Sequence, residues 1–161
     1  MTQPNVLFAG SALRKSIFLA GPTPREPLVP SWRPEAIAIL GELGFEGDVL
    51  VPERADWASL SAYLDQVNWE WEGLNLCTQA VFWVPRDLAD MPAFTTNVEY
   101  GLMASSSKCV FGRPEGAPKT RYLDAVALRH GIPIRSDLRA TLALAAARCA
   151  MPFASWLPGS A

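Results

Sequence analysis

One histidine, His130, and three cysteines are all that the chain offers of the residues most used for nucleophilic and metal chemistry. Cys77, Cys109 and Cys149 lie far apart in apolar stretches and are odd in number, so they read as free buried thiols of a reducing compartment. No CxxC or HxxxH spacing occurs, and no metal site is expected. A Cys–His or Ser–His–Asp arrangement would have to use His130, which stands just before Gly131 and reads as the C-terminal turn of a helix. GxGxxG and Walker sequences are missing too. That disfavours a dinucleotide dehydrogenase or a P-loop enzyme, and no cofactor is expected. There is no basic run, and the formal net charge is -2. A nucleic-acid backbone or an acidic membrane is therefore not the expected partner. No stretch approaches the ~20 apolar residues of a membrane span. Leu7 and Phe8 precede Arg14 and Lys15, the reverse of a secretory signal, so the expected location is the cytoplasm.

What is there suits one α/β domain. The chain has 161 residues, half of them hydrophobic, enough for a core without disulfides or metal. Residues 1–15 read as a loose lead-in. Ile17-Phe18-Leu19-Ala20 reads as a buried parallel strand stopped by Gly21-Pro22. Pro22, Pro24, Pro27 and Pro30 enforce a loop, and Pro34 suits the first turn of a helix with an Ile37, Leu40, Leu43 stripe ended by Gly44. Val49-Leu50-Val51 is the second strand. A helix over 60–77 follows, with Leu60, Leu64, Val67, Trp71 and Leu74 as its apolar stripe. Strands at 80–84 and 108–111, a weak edge strand at 132–134, and helices at 96–105, 119–130 and 137–149 complete the pattern. Strictly alternating strands and helices predict a three-layer flavodoxin- or Rossmann-like fold, a five-stranded parallel sheet of order 2-1-3-4-5 with helices on both faces. Ligands of such sheets bind beyond the carboxyl ends of the strands, between the first and third. The loops there are 21–31, 52–59, 86–95 and 112–118.

Three features fall at that edge. Gly21-Pro22-Thr23 follows the first strand, and a glycine there allows backbone to approach a ligand. Thr96-Asn97-Val98-Glu99 reads as a capping box, with Thr96 as N-cap and Glu99 answering it. The same geometry aims the Glu99 carboxylate into the crevice, where a helix N-terminus favours its ionised form. Glu70, one turn from Gln66 and Leu74, is expected to be partly buried and so suited to proton transfer, with Glu72 facing solvent. One carboxylate near a sugar carbon and another near the leaving base meet the needs of retaining glycosyl transfer without histidine or metal. Arg25, Arg86 and Arg113 each lie in an edge loop where a phosphate could be held.

Ile17-Phe18-Leu19-Ala20-Gly21-Pro22, Trp69-Glu70, Phe82-Trp83-Val84-Pro85 and Thr96-x-x-Glu99-x-Gly101 stand in an order that resembles the nucleoside 2-deoxyribosyltransferase-like family. The resemblance covers roughly residues 16–135. It implies a flavodoxin-like fold and cleavage of the N-glycosidic bond of a nucleoside or nucleotide through a glutamate nucleophile. By resemblance Glu99 matches that nucleophile, and Glu70 the acid that handles the base. Asp87 or Asp90 matches a sugar-contacting aspartate, and Gly21 and Pro22 match the loop beside the sugar. With Thr23, Thr96 and Asn97 these residues form the expected substrate site. The helix acid is glutamate where the family has aspartate, and Thr78-Gln79 stand where it often has an aspartate. Hydrolysis, with water as acceptor, is the economical variant of transfer. The family implies a homo-oligomer, for which Trp57 and Trp156 are candidate contact residues. The alternatives are a catalytically silent nucleotide-binding or sensing module of the same fold, and a structural protein in which Glu99 only caps a helix.

Overall fold

A computed structural model describes residues 15–53 and 60–152 of the chain. The lead-in, most of loop 52–59, Trp57, Trp156 and the Leu60 side chain lie outside the described residues. The elements run β1 (Ser16–Ala20), α1 (Arg33–Glu42), β2 (Asp48–Leu50), α2 (Leu60–Leu76), β3 (Gln79–Trp83), α3 (Phe94–Met103), β4 (Cys109–Gly112), α4 (Arg121–His130), β5 (Ile134–Arg135) and α5 (Leu138–Ala150). The five strands form one sheet of order β2-β1-β3-β4-β5 with every pairing parallel, as the alternating pattern predicts.

The three layers follow from strand parity. Ile17 and Leu19 of β1, Val81 and Trp83 of β3, and Val110 of β4 face Ala36, Ile39 and Leu40 of α1 and Leu138, Leu142 and Ala145 of α5. Their neighbours Phe18, Ala20, Ala80, Phe82 and Phe111 face the other way, against Leu74 of α2, Tyr100 and Met103 of α3, and Leu123 and Ala127 of α4. Local signals set the helix limits. Proline stands in the first turn of α1. Gly131 closes α4 at φ 65, and Asp137 caps α5 by accepting from the Ala140 amide at 2.7 Å. Cys77, Cys109 and Cys149 are free and buried, and burial pushes their thiols up to about 12, 11 and 11. Among the described residues, no helix is long and apolar enough to cross a membrane.

Three helix readings are corrected. In α1 the buried face is Arg33, Ala36, Ile39 and Leu40, while Ile37 and Leu43 stand exposed. In α2 the buried residues include Gln66, Gly73 and Leu74, and Leu64 and Trp71 face out. Gly73 lets that helix close on β1, because a Cβ there would stand 2.7 Å from the Phe18 ring. Helix α3 begins three residues earlier than the capping pattern predicts, with its N-cap at Ala93 rather than Thr96.

Candidate functional site

A cavity of about 240 Å³ opens at the carboxyl ends of β1 and β3, the crossover point of the sheet. Gly21, Pro22, Thr23 and Arg25 of the loop after β1 wall one side. Arg33 comes from the start of α1, and Tyr63, Gln66, Val67 and Glu70 from α2. Ala93, Phe94, Thr95, Thr96 and Glu99 come from the first turns of α3. No residue of loop 112–118 lines it.

Glu70 and Glu99 meet on this wall. Their carboxyl groups are in hydrogen-bonding contact, and Gln66 Nε2 donates to Glu70 Oε1 at 2.8 Å. Glu99 is 9% exposed. Burial first, and then the Glu70 carboxylate beside it, push the Glu99 carboxyl up to about 8, with Arg33 opposing. Burial also raises Glu70, against the hydrogen bonds from Gln66 and Glu99. Two acids so placed titrate as a pair rather than one by one.

This corrects the capping-box reading. The N-cap of α3 is Ala93, in the left-handed region at φ 61, and no side chain caps it. Thr96 is the third residue of the helix, buried on the cavity wall, and Glu99 is the sixth. Glu99 therefore stands beyond the turn in which the helix dipole acts strongly, and burial wins over the dipole.

The other sequence candidates separate. Gly21, Pro22 and Thr23 line the cavity. Gly21 has a packing reason before any ligand reason: a Cβ there would lie 2.2 Å from the Trp83 carbonyl oxygen. Asn97 does not line the cavity and accepts from Arg86 Nη2, while Arg86 Nη1 donates to the Lys119 carbonyl at 2.6 Å. Asp87 is exposed and accepts from the amides of Ala89 and Asp90, each at 2.9 Å, within its own turn. Those amides hold its carboxyl below the usual range. The Asp90 carbonyl takes the Arg25 amide at 3.1 Å, which ties two of the edge loops together. Neither aspartate lines the cavity. Arg113 is held bidentate by Asp124, with both contacts at 2.9 Å. Of the three loop arginines only Arg25 reaches the cavity, with its guanidinium over the Phe94 ring. Thr78 and Gln79 stand at the amino end of β3, the opposite edge of the sheet from the cavity.

Arg33 is the residue that sequence reading missed. It is 1% exposed. Its Nε donates to the Leu19 carbonyl at 3.0 Å and Nη2 to the Gly21 carbonyl at 2.7 Å. Nη1 donates to Thr23 Oγ1 at 3.1 Å and to Glu53 Oε1 at 2.6 Å. Trp32 beside it stacks on the guanidinium and donates its indole N–H to the Pro22 carbonyl at 3.1 Å. A signal was present: a cation in the first turn of a helix opposes the helix dipole and needs a local reason.

The family model for nucleoside 2-deoxyribosyltransferase-like proteins matches residues 14–117. That match spans β1 to β4 and every described wall of the cavity. No curated protein matches the chain.

Proposed function

Since the chain belongs to the nucleoside 2-deoxyribosyltransferase-like family, we propose that it cleaves or transfers the N-glycosidic bond of a nucleoside or nucleotide, with Glu99 as nucleophile and Glu70 as the acid that serves the base. The observation that carries this reading is the contact between two carboxyls on the wall of one cavity.

One proton on the pair is the number the reaction needs. The proton passes from Glu99 to Glu70 as substrate enters, which leaves Glu99 as carboxylate and Glu70 as acid. A Glu99 oxygen attacks the anomeric carbon and forms a C–O bond while the C–N bond breaks. The bonding pair leaves with the base nitrogen, which takes the Glu70 proton. Glu70, now ionised, accepts a proton from water or from an incoming base. That acceptor attacks the anomeric carbon and frees Glu99. Water gives hydrolysis and a second base gives transfer. Burial favours the sequence because charge separated in a low-dielectric wall is felt strongly at the reacting atoms.

The test is incubation with nucleosides, deoxynucleosides and their monophosphates, with free base measured by chromatography across pH. The expected kcat/KM profile is a bell. It falls above about 8, where the pair loses its last proton, and falls on the acid side as the pair takes up a second. Release of base with no alkaline limb near 8 would count against a shared-proton pair. Tight binding without any base release would favour the silent binding module instead. Thr78-Gln79 lend that alternative no support, because they stand across the sheet from the site.

We also propose a homo-oligomer. Phe94, Val98 and Leu102 stand exposed at four-residue intervals along α3, beside the cavity. A row of apolar side chains on one helix face fits a subunit contact, and sedimentation velocity measures the mass directly.

A further inference from the structure

We propose that Arg33 is the positioning residue of this site: anchored by the end of β1 and by Glu53, it supplies the buried positive charge against which the Glu70–Glu99 pair holds one negative charge. The inference deepens the reading above and rests on that pair as the reacting acids.

Geometry gives Arg33 more partners than a structural ion pair needs. Glu53 engages only Nη1. Nε and Nη2 are spent on the carbonyls of Leu19 and Gly21, where β1 ends and the sugar-side loop begins. These bonds fix the plane of the guanidinium at the cavity wall, within electrostatic reach of both acids. Among the described residues, the charged and titratable groups there are few. Arg25 from the loop after β1 is exposed, Tyr63 and Glu70 come from α2, Glu99 comes from α3, and Glu53 follows β2. Among the described residues lining the cavity, Arg33 is the buried cation.

That cation has a definite task. Two contacting carboxyls in a buried wall would otherwise tend to hold two protons, and a doubly protonated pair has no nucleophile. Arg33 keeps the second proton off. Glu53 sets how much of that charge the pair feels, because its carboxylate neutralises part of it. The loop is positioned by the same bonds, so the sugar-side wall and the protonation of the acids share one anchor.

The test follows Glu99 directly, without turnover. The full chain is labelled with glutamate carrying ¹³C at the side-chain carboxyl, and the Glu99 resonance is assigned by its loss in Glu99→Gln. Its titration midpoint is then compared in the wild type, Arg33→Gln and Glu53→Gln. Arg33→Gln should raise the midpoint by about one pH unit or more, the scale of losing a nearby opposite charge. Glu53→Gln should lower it, because the Arg33 charge is no longer partly neutralised. Folded variants that both titrate as the wild type would overturn the proposal and leave Arg33 a structural residue. Should Arg33→Gln fail to fold, Glu53→Gln decides alone: a midpoint that stays or rises overturns the proposal, and one that falls supports it. A wild-type protein that releases no base would sink the functional reading, and the titration would still test the electrostatic one.

Discussion

Glu99→Gln is expected to abolish base release, with kcat falling on the order of 10⁴-fold or more, the scale of losing a covalent nucleophile. An amide keeps the shape and the hydrogen bond to Glu70 but cannot form the glycosyl ester. Stability gives an independent check with a definite sign. The Glu99 carboxyl is pushed up to about 8 in the folded protein from an ordinary value of 4.5. Between those values the folded state binds more protons than the unfolded one. The stability linked to this group is thus complete below 4.5 and is lost as pH rises through about 8. Glutamine removes that loss. The variant should match or exceed the wild-type melting temperature, and by more at alkaline pH. Inactivity with undiminished stability marks Glu99 as the reacting group, whereas inactivity with a lower melting temperature marks a folding defect. Glu70→Gln should cost less, about 10²–10⁴-fold, and least for bases that depart readily without a proton.

The order of the sheet was legible because both faces are covered. A strand buried on both sides must be a short apolar run, and Ile17–Ala20 and Ala80–Trp83 are such runs, each soon stopped by proline. Helix phase was harder to read. The inward face of α2 carries Gln66, Glu70 and Gly73. Two of these serve the cavity and one makes room for Phe18. A stripe chosen for hydrophobicity alone turns that helix the wrong way, so that Leu64 and Trp71, placed inside, stand in solvent. The apolar preference of a helix gives way where its neighbour is a polar cavity rather than a core.

The acids were legible as a pair of types at the right edge, but their state was not. Thr96-x-x-Glu99 fits a capping box letter for letter, yet the chain enters α3 through Ala93 in a left-handed conformation, and both residues move into the helix body. A pattern of four residues carries no information about the turn before it. Asp87 shows the same limit: its carboxylate is taken by two amides of its own turn, a local bond that spacing from the family motif does not reveal. Arg33 was overlooked because one arginine beside a proline looks like surface. Its burial depends on carbonyls of Leu19 and Gly21 and on Glu53, 20 residues away in sequence, which only the folded chain brings together.

Gly21→Ala should cost about 3 kcal/mol or more, from overpacking of ~1–3 and backbone strain of ~1–3 kcal/mol. The new Cβ would lie 2.2 Å from the Trp83 carbonyl oxygen and 2.8 Å from the Trp32 ring, with φ at +154. The first contact is with backbone, so no rotamer change relieves it. β1 and β3 must move apart just past the Ala20–Phe82 pair. A loss of that size corresponds to a melting temperature lower by about 6–12 °C for a chain of this length. Gly41→Ala is the control. It sits inside α1, and a Cβ there meets nothing within 4 Å. Alanine should therefore stabilise the helix by up to ~1 kcal/mol. The two substitutions add the same methyl group with opposite expected signs, and thermal melts of both separate steric position from composition. Base release extends the argument. The Gly21 carbonyl takes Arg33 Nη2, and the next carbonyl takes the Trp32 indole. Displacing this backbone moves the cation away from the two acids, so the activity of Gly21→Ala should fall further than its folded fraction does at the assay temperature. Activity that only tracks the folded fraction would show that the loop fixes the fold without fixing the site.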